Sequence, residues 1–173
     1  MPNTRPSPEE YAPYYGTYVN QVPDGPVVET LARQIDDTMA LLRPLPDSAA
    51  LHRYAEGKWS VKEVVGHLID AERVFSYRAL VFGRADANAL PSFDENAYVP
   101  AARHDAIPLG DLLDEFAALR GATVRLFRHF PEEAWRRQGI ASGKAVTVRA
   151  LAWITAGHER HHLKVLRERY LSK

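Results

Sequence analysis

Apolar residues recur at helical spacing in four stretches of the chain, and prolines or glycines separate these stretches. The spacing predicts helices over about residues 26–43, 60–83, 108–130 and 148–171. Residues 1–25 are rich in proline and are predicted to be irregular, and residues 84–107 form a long connection. Little strand signal is present. The pattern predicts an all-α fold, a four-helix bundle with long connections, built as a single domain over residues 1–173.

Local signals support the ends of these helices. Pro26 suits the first turn of the first helix, because a proline lacks the N–H that has no partner there. Ser60 followed by Glu63 matches a capping box at the start of the second helix. Thr147 is the predicted N-cap of the last helix. Gly139 and Gly143 lie in the connection before it, which has room for one short turn or hairpin.

Composition limits the chemistry and the location. The chain has 22 basic and 22 acidic side chains, so no global field favours DNA, RNA or anionic lipid. It has no cysteine, which excludes disulfides, thiolate metal sites and a thiol nucleophile supplied by the protein. We find no signal peptide and no stretch of about 18 apolar residues, the length of a membrane span. We therefore expect a cytoplasmic protein with no nucleic-acid or membrane partner.

The most informative motif is Gly157-His158-Glu159-Arg160-His161-His162 in the last helix. His158 and His162 are four residues apart, so their rings lean toward one point on the helix face. They stand at positions of a helical stripe whose other residues are apolar and are predicted to pack in the core. His67, at the border of the second helix's stripe, is the leading third ligand, and it would complete a three-histidine site for a divalent ion. The alternative is that these histidines are buried with partners, or exposed, and bind nothing.

The same letters also spell H-E-x-x-H, the signature of zinc peptidases, with Glu159 as general base. A peptidase of this kind needs a third ligand further along the chain. Only eleven residues follow His162, and Val165 and Glu168 stand where the extended motif requires glycine and histidine. A zinc peptidase is therefore a minor alternative interpretation of this motif.

The remaining histidines are expected to lie outside the ion's coordination sphere. His161 is turned by about 100° from His162 on a helix, so it is expected beside the site or in solvent. His52, His104 and His129 lie in connections or at helix ends and are expected at the surface.

Two carboxylates lie one helical turn from His67. Glu63 precedes it and Asp70 follows it, so either could accept a hydrogen bond from its ring and orient it. The alternative for both is a solvated helix face.

Three segments together resemble the DinB/YfiT-like metalloenzyme family, and the resemblance covers about residues 18–170. They are the runs that begin KWSVKEVVGHLIDAER at Lys58, PSFDENAY at Pro91 and GHERHHL at Gly157. The resemblance implies a four-helix bundle, often dimeric, with nickel or zinc held by His67, His158 and His162. Some members transfer groups to or from a low-molecular-weight thiol. Asp94, Tyr98 and Arg120 also resemble family positions that line the pocket; their alternative roles are loop anchoring and surface ion pairing.

These observations predict a divalent-metal protein that acts on a small molecule, either as a hydrolase or as a thiol-dependent S-transferase, and that forms a homodimer. In the transferase, the ion would lower the pKa of an incoming thiol. The first alternative is a module that binds metal or ligand without turnover, and a weaker one is DNA association through the basic side of the last helix. Imidazole ligands must be neutral, so metal is expected to be lost below about pH 6.5.

Overall fold

The computed structural model describes residues 4–172, and within them seven α-helices and one hairpin occur. The helices are α1 (Gly16–Val19), α2 (Val27–Leu42), α3 (Asp47–Ala50), α4 (Val61–Gly83), α5 (Glu95–Ala102), α6 (Leu109–Arg128) and α7 (Val148–Val165). Single turns of 3₁₀-helix lie at Pro8–Glu10, Pro13–Tyr15, His104–Ala106 and Glu132–Arg136, and a π-helical turn, Leu166–Tyr170, continues α7. Helix α4 packs against α6 and α7, and α2 packs against the same two. The predicted four-helix bundle is confirmed, with α2, α4, α6 and α7 as its members.

The sequence signals at the ends of the elements have the expected geometry. Ser60 and Glu63 form a reciprocal capping box at the start of α4. The Thr147 side chain accepts a hydrogen bond from the backbone N–H of Ala150 at the start of α7. Strands β1 (Gln138–Ala141) and β2 (Lys144–Thr147) form an antiparallel hairpin. Its turn residues Ser142 and Gly143 both have positive φ, as a tight two-residue hairpin requires.

The apolar core of the bundle is divided in two by a polar layer. One cluster contains Ala71, Phe75, Trp153 and their neighbours, and the other contains Val64, Leu68, Leu163 and theirs. Each long helix changes from one cluster to the other at buried polar side chains. They are Gln34 and Thr38 on α2, His67 and Glu72 on α4, Arg120 on α6, and His158 and Glu159 on α7. The bundle thus carries a buried polar layer at mid-height, and the candidate site lies in it.

Two connections are more ordered than their sequences indicate. The segment predicted as irregular over 1–25 contains three helical turns, and it buries Tyr11 and Tyr18; residues 1–3 lie outside the described part. The connection over 84–107 contains α5, whose Pro100 and two flanking prolines hide it from a periodicity search. Both predictions were too irregular because short helices stabilised by packing leave a weak local signal.

No helix among residues 4–172 combines the length and the apolar character needed to cross a lipid bilayer.

Candidate metal centre

Three histidines from two helices converge in the polar layer. His67 projects from α4, and His158 and His162 project from successive turns of α7. One nitrogen from each ring lies within 4.8 Å of the other two, and the Nε2 atoms of His67 and His158 are 3.0 Å apart. In the part of the chain that the structure describes, this is the one group of three metal-type side chains that meets so closely. The structure therefore brings together the three residues that the sequence singled out.

A glycine precedes two of these histidines and lets another segment pack beside each ring. A Cβ on Gly157 would lie 2.1 Å from the backbone oxygen of Tyr18, so only glycine lets α1 approach α7 here. As a result the Tyr18 ring packs edge-on against His158, with 5.1 Å between ring centroids. A Cβ on Gly66 would likewise lie 2.2 Å from the His104 ring. These glycines fix the walls around the histidines.

The three imidazoles are electrically neutral at physiological pH. Burial lowers the pKa of His67 to about 4 and that of His162 to about 3, with neighbouring histidines adding to the effect. His158 is 5% exposed, and burial followed by the proximity of His162 and His67 lowers its pKa well below the usual value. A neutral imidazole has a free lone pair, which is the state that binds metal. The rings are therefore ready to coordinate without first losing a proton.

The donor set fits a divalent transition metal. Zinc and nickel bind imidazole nitrogens, and ligands at ~2.0–2.1 Å from a tetrahedral ion lie ~3.3 Å from one another. The three nitrogens already lie within 4.8 Å of each other, so small side-chain rotations bring them to that spacing. Three protein ligands leave at least one coordination position for water or substrate, which is typical of catalytic sites.

Two spaces reach this cluster from different sides. The first, which we call the inner cavity, has a volume of about 80 Å³ and is lined by His67, His158, Tyr15, Tyr18, Phe75 and Glu95 among others. The second, which we call the outer pocket, has a volume of about 340 Å³ and includes His162, His161, Trp59, Lys58, Tyr54 and Tyr170. Trp59 also packs on His67, with ring centroids 4.8 Å apart. Helix α5 borders both spaces, with Glu95 at the inner cavity and Asn96 at the outer pocket.

Glu95 is a functional candidate that the sequence reasoning missed. It is the first residue of α5, it is half-buried, and it borders the inner cavity. Among residues 4–172 its carboxylate has no hydrogen bond or ion pair; burial raises the pKa of Tyr18 most, neighbouring tyrosines add to this, and the negative charge of Glu95 contributes last. The sequence signal for this residue was the run Phe93-Asp94-Glu95, in which Asp94 is a helix N-cap. Because no helix was predicted there, the sequence offered no reason to place Glu95 near the histidines.

The two carboxylates expected to orient His67 have other partners. Glu63 completes the capping box and forms an ion pair with Arg53. Asp70 is half-buried, which raises its pKa, and it forms an ion pair with Arg73 at 3.9 Å. Neither forms a hydrogen bond with His67, so of the two roles that the sequence left open the orienting one is not observed; a helix cap and ion pairs hold these carboxylates.

The other histidines divide between the surface and the interior. His52 and His129 are exposed, as predicted. His104 is 7% exposed, so its predicted surface position is wrong, because the connection after α5 folds back and presses its ring onto Gly66. His161 is half-buried beside the site, with its ring centroid 5.1 Å from that of His162 and its Nδ1 3.4 Å from Nε2 of Gln21.

The three further family-like positions do not act alike. Asp94 caps α5 by accepting from the backbone N–H groups of Asn96 and Ala97, the anchoring role that was its alternative. Tyr98 is 48% exposed and packs on Phe93, outside the inner cavity and the outer pocket. Arg120 is 2% exposed and pairs with Glu72 and Glu159, so both a place in the site and a surface ion pair are wrong for it.

Glu159 cannot serve as the base of a zinc peptidase in this arrangement. Its carboxylate forms an ion pair with Arg120 and accepts a hydrogen bond from Thr38, with Nη1–Oε2 and Oγ1–Oε1 distances of 2.7 and 2.5 Å. It is 1% exposed and belongs to the core beside the site, on a different face of α7 from the two histidines. The H-E-x-x-H letters therefore combine a metal-type pair with a structural glutamate.

Comparisons with known proteins agree with this architecture. Residues 30–166 match the family model of the DinB superfamily. Among solved structures, the chain is similar to YfiT from Bacillus subtilis, described as a probable metal-dependent hydrolase with an unusual four-helix bundle topology, at 17% identity and a TM-score of 0.65. The match covers 95% of this chain and 93% of YfiT, and it supports the fold. No curated protein matches the chain in a sequence search.

Proposed function

The chain belongs to the DinB superfamily, and from that premise we propose that it binds one divalent ion through His67, His158 and His162 and hydrolyses a small molecule. The observation that carries the proposal is a cluster of three neutral imidazoles, two buried and one half-buried, whose nitrogens converge within 4.8 Å, with an open space on two sides. Among residues 4–172 the cluster's one hydrogen bond joins His67 to His158, and a metal ion would give all three rings a partner. The similarity to YfiT, described as a probable metal-dependent hydrolase, supports the same class of reaction.

We propose zinc or nickel as the ion, because three nitrogen ligands and no cysteine suit either one. When bound, such an ion would polarise a substrate and lower the pKa of a water molecule or a thiol. The protein's own contribution is to hold the three rings in an aromatic-walled site. Tyr18, Phe75 and Trp59 supply those walls.

The inner cavity favours water as the nucleophile. A volume of about 80 Å³ holds a few water molecules but not a peptide-sized thiol. Glu95 borders this cavity, and without a cation of its own its carboxylate is free to accept a proton from the nucleophile. We propose that Glu95 is the general base and that the substrate enters through the larger outer pocket.

Thiol-dependent transfer is the second candidate, and one observation favours it. The outer pocket, at about 340 Å³, has the size of a small-molecule site and would accommodate a thiol co-substrate. The absence of cysteine means that any thiol in the chemistry has to come from outside. The two candidates separate on one measurement: hydrolysis proceeds in buffer alone, whereas transfer requires an added low-molecular-weight thiol.

Metal content is the first test. We expect protein purified without a histidine tag to contain one zinc or nickel per chain by elemental analysis, and His67→Ala and His158→Ala to lose it. His129→Ala removes an exposed histidine and is the matched control, expected to keep the metal. Added metal at 100 times its Kd raises the free energy of unfolding of the unmutated protein by about 2.7 kcal/mol. Equal metal content in all four proteins would overturn the proposal.

The role of Glu95 is tested in metal-replete protein against a panel of small esters and amides. We expect Glu95→Gln to lower kcat by about 100-fold or more, the usual contribution of a general base, with unchanged metal content. Glu56→Gln, at an exposed position, is the matched control and retains activity. Full metal loading with no turnover of any substrate, with or without thiol, would instead indicate a metal-binding module without catalysis.

We further propose that the protein is a cytoplasmic homodimer, the assembly that the family resemblance implies. Light scattering after gel filtration measures the mass in solution. A mass near 39 kDa, twice that of the 19.5 kDa chain, supports a dimer, and a mass of one chain contradicts it.

A further inference from the structure

The outer pocket has a distinct lining. Three aromatic rings form its walls: Tyr54, Trp59 and Tyr170. Tyr54 and Tyr170 meet edge to face with 4.9 Å between centroids, and the Tyr170 hydroxyl donates to the backbone oxygen of Trp59 at 2.7 Å. That hydrogen bond ties the last turn of the chain to the residue that packs on His67. The hydrogen bond therefore holds Tyr170 beside Trp59, next to the candidate metal.

Charge in this pocket is positive. Lys58 is exposed at its rim and, within residues 4–172, its ammonium group forms no ion pair. The polar side chains beside it are those of Asn96, His161 and His162, and no carboxylate belongs to the lining that the structure describes. A divalent ion at His162 would add further positive charge at the inner end. An anionic group entering the pocket thus meets favourable charge at both ends.

Aromatic walls by themselves suit two kinds of ligand. A flat apolar ring gains by packing edge to face or in an offset stack, and an ammonium ion gains by lying over a ring face. Here the electrostatics decide between them. Lys58 at the rim and the candidate ion behind His162 both repel a cation, and neither opposes a ring that carries an anion.

We propose that the outer pocket binds a small aromatic anion, such as an aryl carboxylate, with its ring between Tyr54 and Trp59 and its anionic group near Lys58. This inference rests on the proposed function for the ion behind His162, and it names the substrate class of the same site. Lys58 and Tyr54 act in binding and specificity.

Binding of three probes to the full-length protein tests the proposal. The probes are benzoate, benzyl alcohol and phenyltrimethylammonium, which share a ring and differ in charge, and their Kd values are measured by NMR titration with and without zinc. We expect benzoate to bind most tightly. Lys58→Met should weaken benzoate by about five-fold, near the upper range of a partly exposed ion pair, and leave benzyl alcohol unchanged. Lys144→Met, at an exposed lysine outside the pocket, is the matched control.

The aromatic wall is tested separately with Tyr54→Ala. This variant should weaken benzoate and benzyl alcohol together, whereas Tyr77→Ala, which removes a 56% exposed ring elsewhere, should affect neither. Three outcomes would overturn the inference: phenyltrimethylammonium binds most tightly, Lys58→Met leaves the Kd of benzoate unchanged, or none of the probes binds. The probes are also titrated without metal, so the two proposals can fail separately. If the protein binds benzoate but has no affinity for metal, the proposed function is contradicted and the aromatic-anion pocket is not.

Discussion

The polar layer of the bundle contains two clusters of polar side chains that differ in how they offset the cost of burial: one is charged and ion-paired, and the other is neutral. Glu72, Arg120 and Glu159 form the first, with Arg120 Nη2 and Glu72 Oε2 2.6 Å apart and further hydrogen bonds from Thr38 and Gln34. His67, His158 and His162 form the second. The first is charged and supplied with partners by all four long helices. The second is neutral, and within the described residues 4–172 its one hydrogen bond joins His67 and His158.

The pKa directions show the same contrast. Burial alone lowers the pKa of Arg120, but Glu159 and Glu72 more than offset it, and the net pKa is raised. No carboxylate in the described part of the chain offsets the effect of burial on His67 and His162, so their pKa values stay low. Helix α7 contributes neighbouring residues, His158 and Glu159, to the two clusters. We infer that the ion-pair cluster holds α7 in place and that the histidine cluster is left available for a ligand.

The largest expected effect is on the ion-pair cluster. Arg120→Met leaves two buried carboxylates without a counter-ion, and we expect it to lower the free energy of unfolding by about 3–5 kcal/mol in a urea titration. His158→Leu in metal-free protein should cost less than Arg120→Met, because it removes a neutral group.

Two comparisons sharpen this prediction. Arg128→Met breaks an exposed pair with Glu29 and should cost less than about 1 kcal/mol. Adding Glu72→Gln and Glu159→Gln to Arg120→Met should restore part of the lost stability, because the uncompensated charge is gone. An Arg120→Met protein as stable as the unmutated one would show that the two clusters do not differ in the way proposed.

The second effect is a pH dependence that belongs to the histidine cluster. The pKa of His67 is about 4 in the folded protein and 6.5 in the unfolded chain, so between these values the unfolded chain binds more protons. Stability of the metal-free protein should therefore fall as pH drops from about 6.5 to 4, by on the order of 2 kcal/mol for this residue. For the same reason, metal should be released at a lower pH than the 6.5 expected from an unperturbed imidazole.

Urea titrations of metal-free protein at pH 7, 5.5 and 4.5 measure this slope. His67→Gln should flatten it, and His129→Ala, which removes an exposed histidine, should leave it unchanged. A slope that is equal in all three proteins would assign the pH dependence to groups outside the cluster.

The smallest expected effect concerns the wall of the histidine cluster. Gly157→Ala gains ~1 kcal/mol in helix propensity, but its Cβ would lie 2.1 Å from the backbone oxygen of Tyr18. Because overpacking of this kind costs ~1–3 kcal/mol, we expect a net loss of about 1 kcal/mol and weaker metal binding as α1 moves away. Gly110→Ala, where a Cβ meets no atom within 4 Å, should be neutral or stabilising. A stabilised Gly157→Ala protein with unchanged metal affinity would contradict the packing argument.

Much of the bundle was predictable because its signals are local. Helical spacing of apolar residues located α2, α4, α6 and α7, and caps such as Ser60 and Thr147 set their starts. The convergence of His67 with His158 and His162 followed from placing polar residues in an apolar stripe of a bundle, together with a family resemblance; that they bind metal remains a proposal.

Arg120 and His104 were given the wrong surroundings and Glu95 was missed, all for one shared reason. Each depends on what a distant segment places beside it. Arg120 lies on α6, and the sequence alone does not distinguish it from an ordinary surface cation of a helix. Its buried ion pairs with Glu72 and Glu159 are visible only in the folded structure. His104 is buried because its connection folds onto Gly66, and Glu95 borders the inner cavity only because α5 forms and packs on α4.

The sequence by itself predicted the four long helices and a short turn or hairpin before the last one, because these depend on spacing along a helix or on turn chemistry over a few residues. Spacing also singled out His158 and His162, whereas His67 was added as the leading third ligand and by a family resemblance. The tertiary structure alone decided which polar groups neutralise one another and which have no charged partner. It also decided that the N-terminal turns and α5 enclose the histidines. Both outcomes rest on contacts between residues far apart in the chain, whose energies depend on burial and distance, and no local pattern in the sequence encodes those quantities.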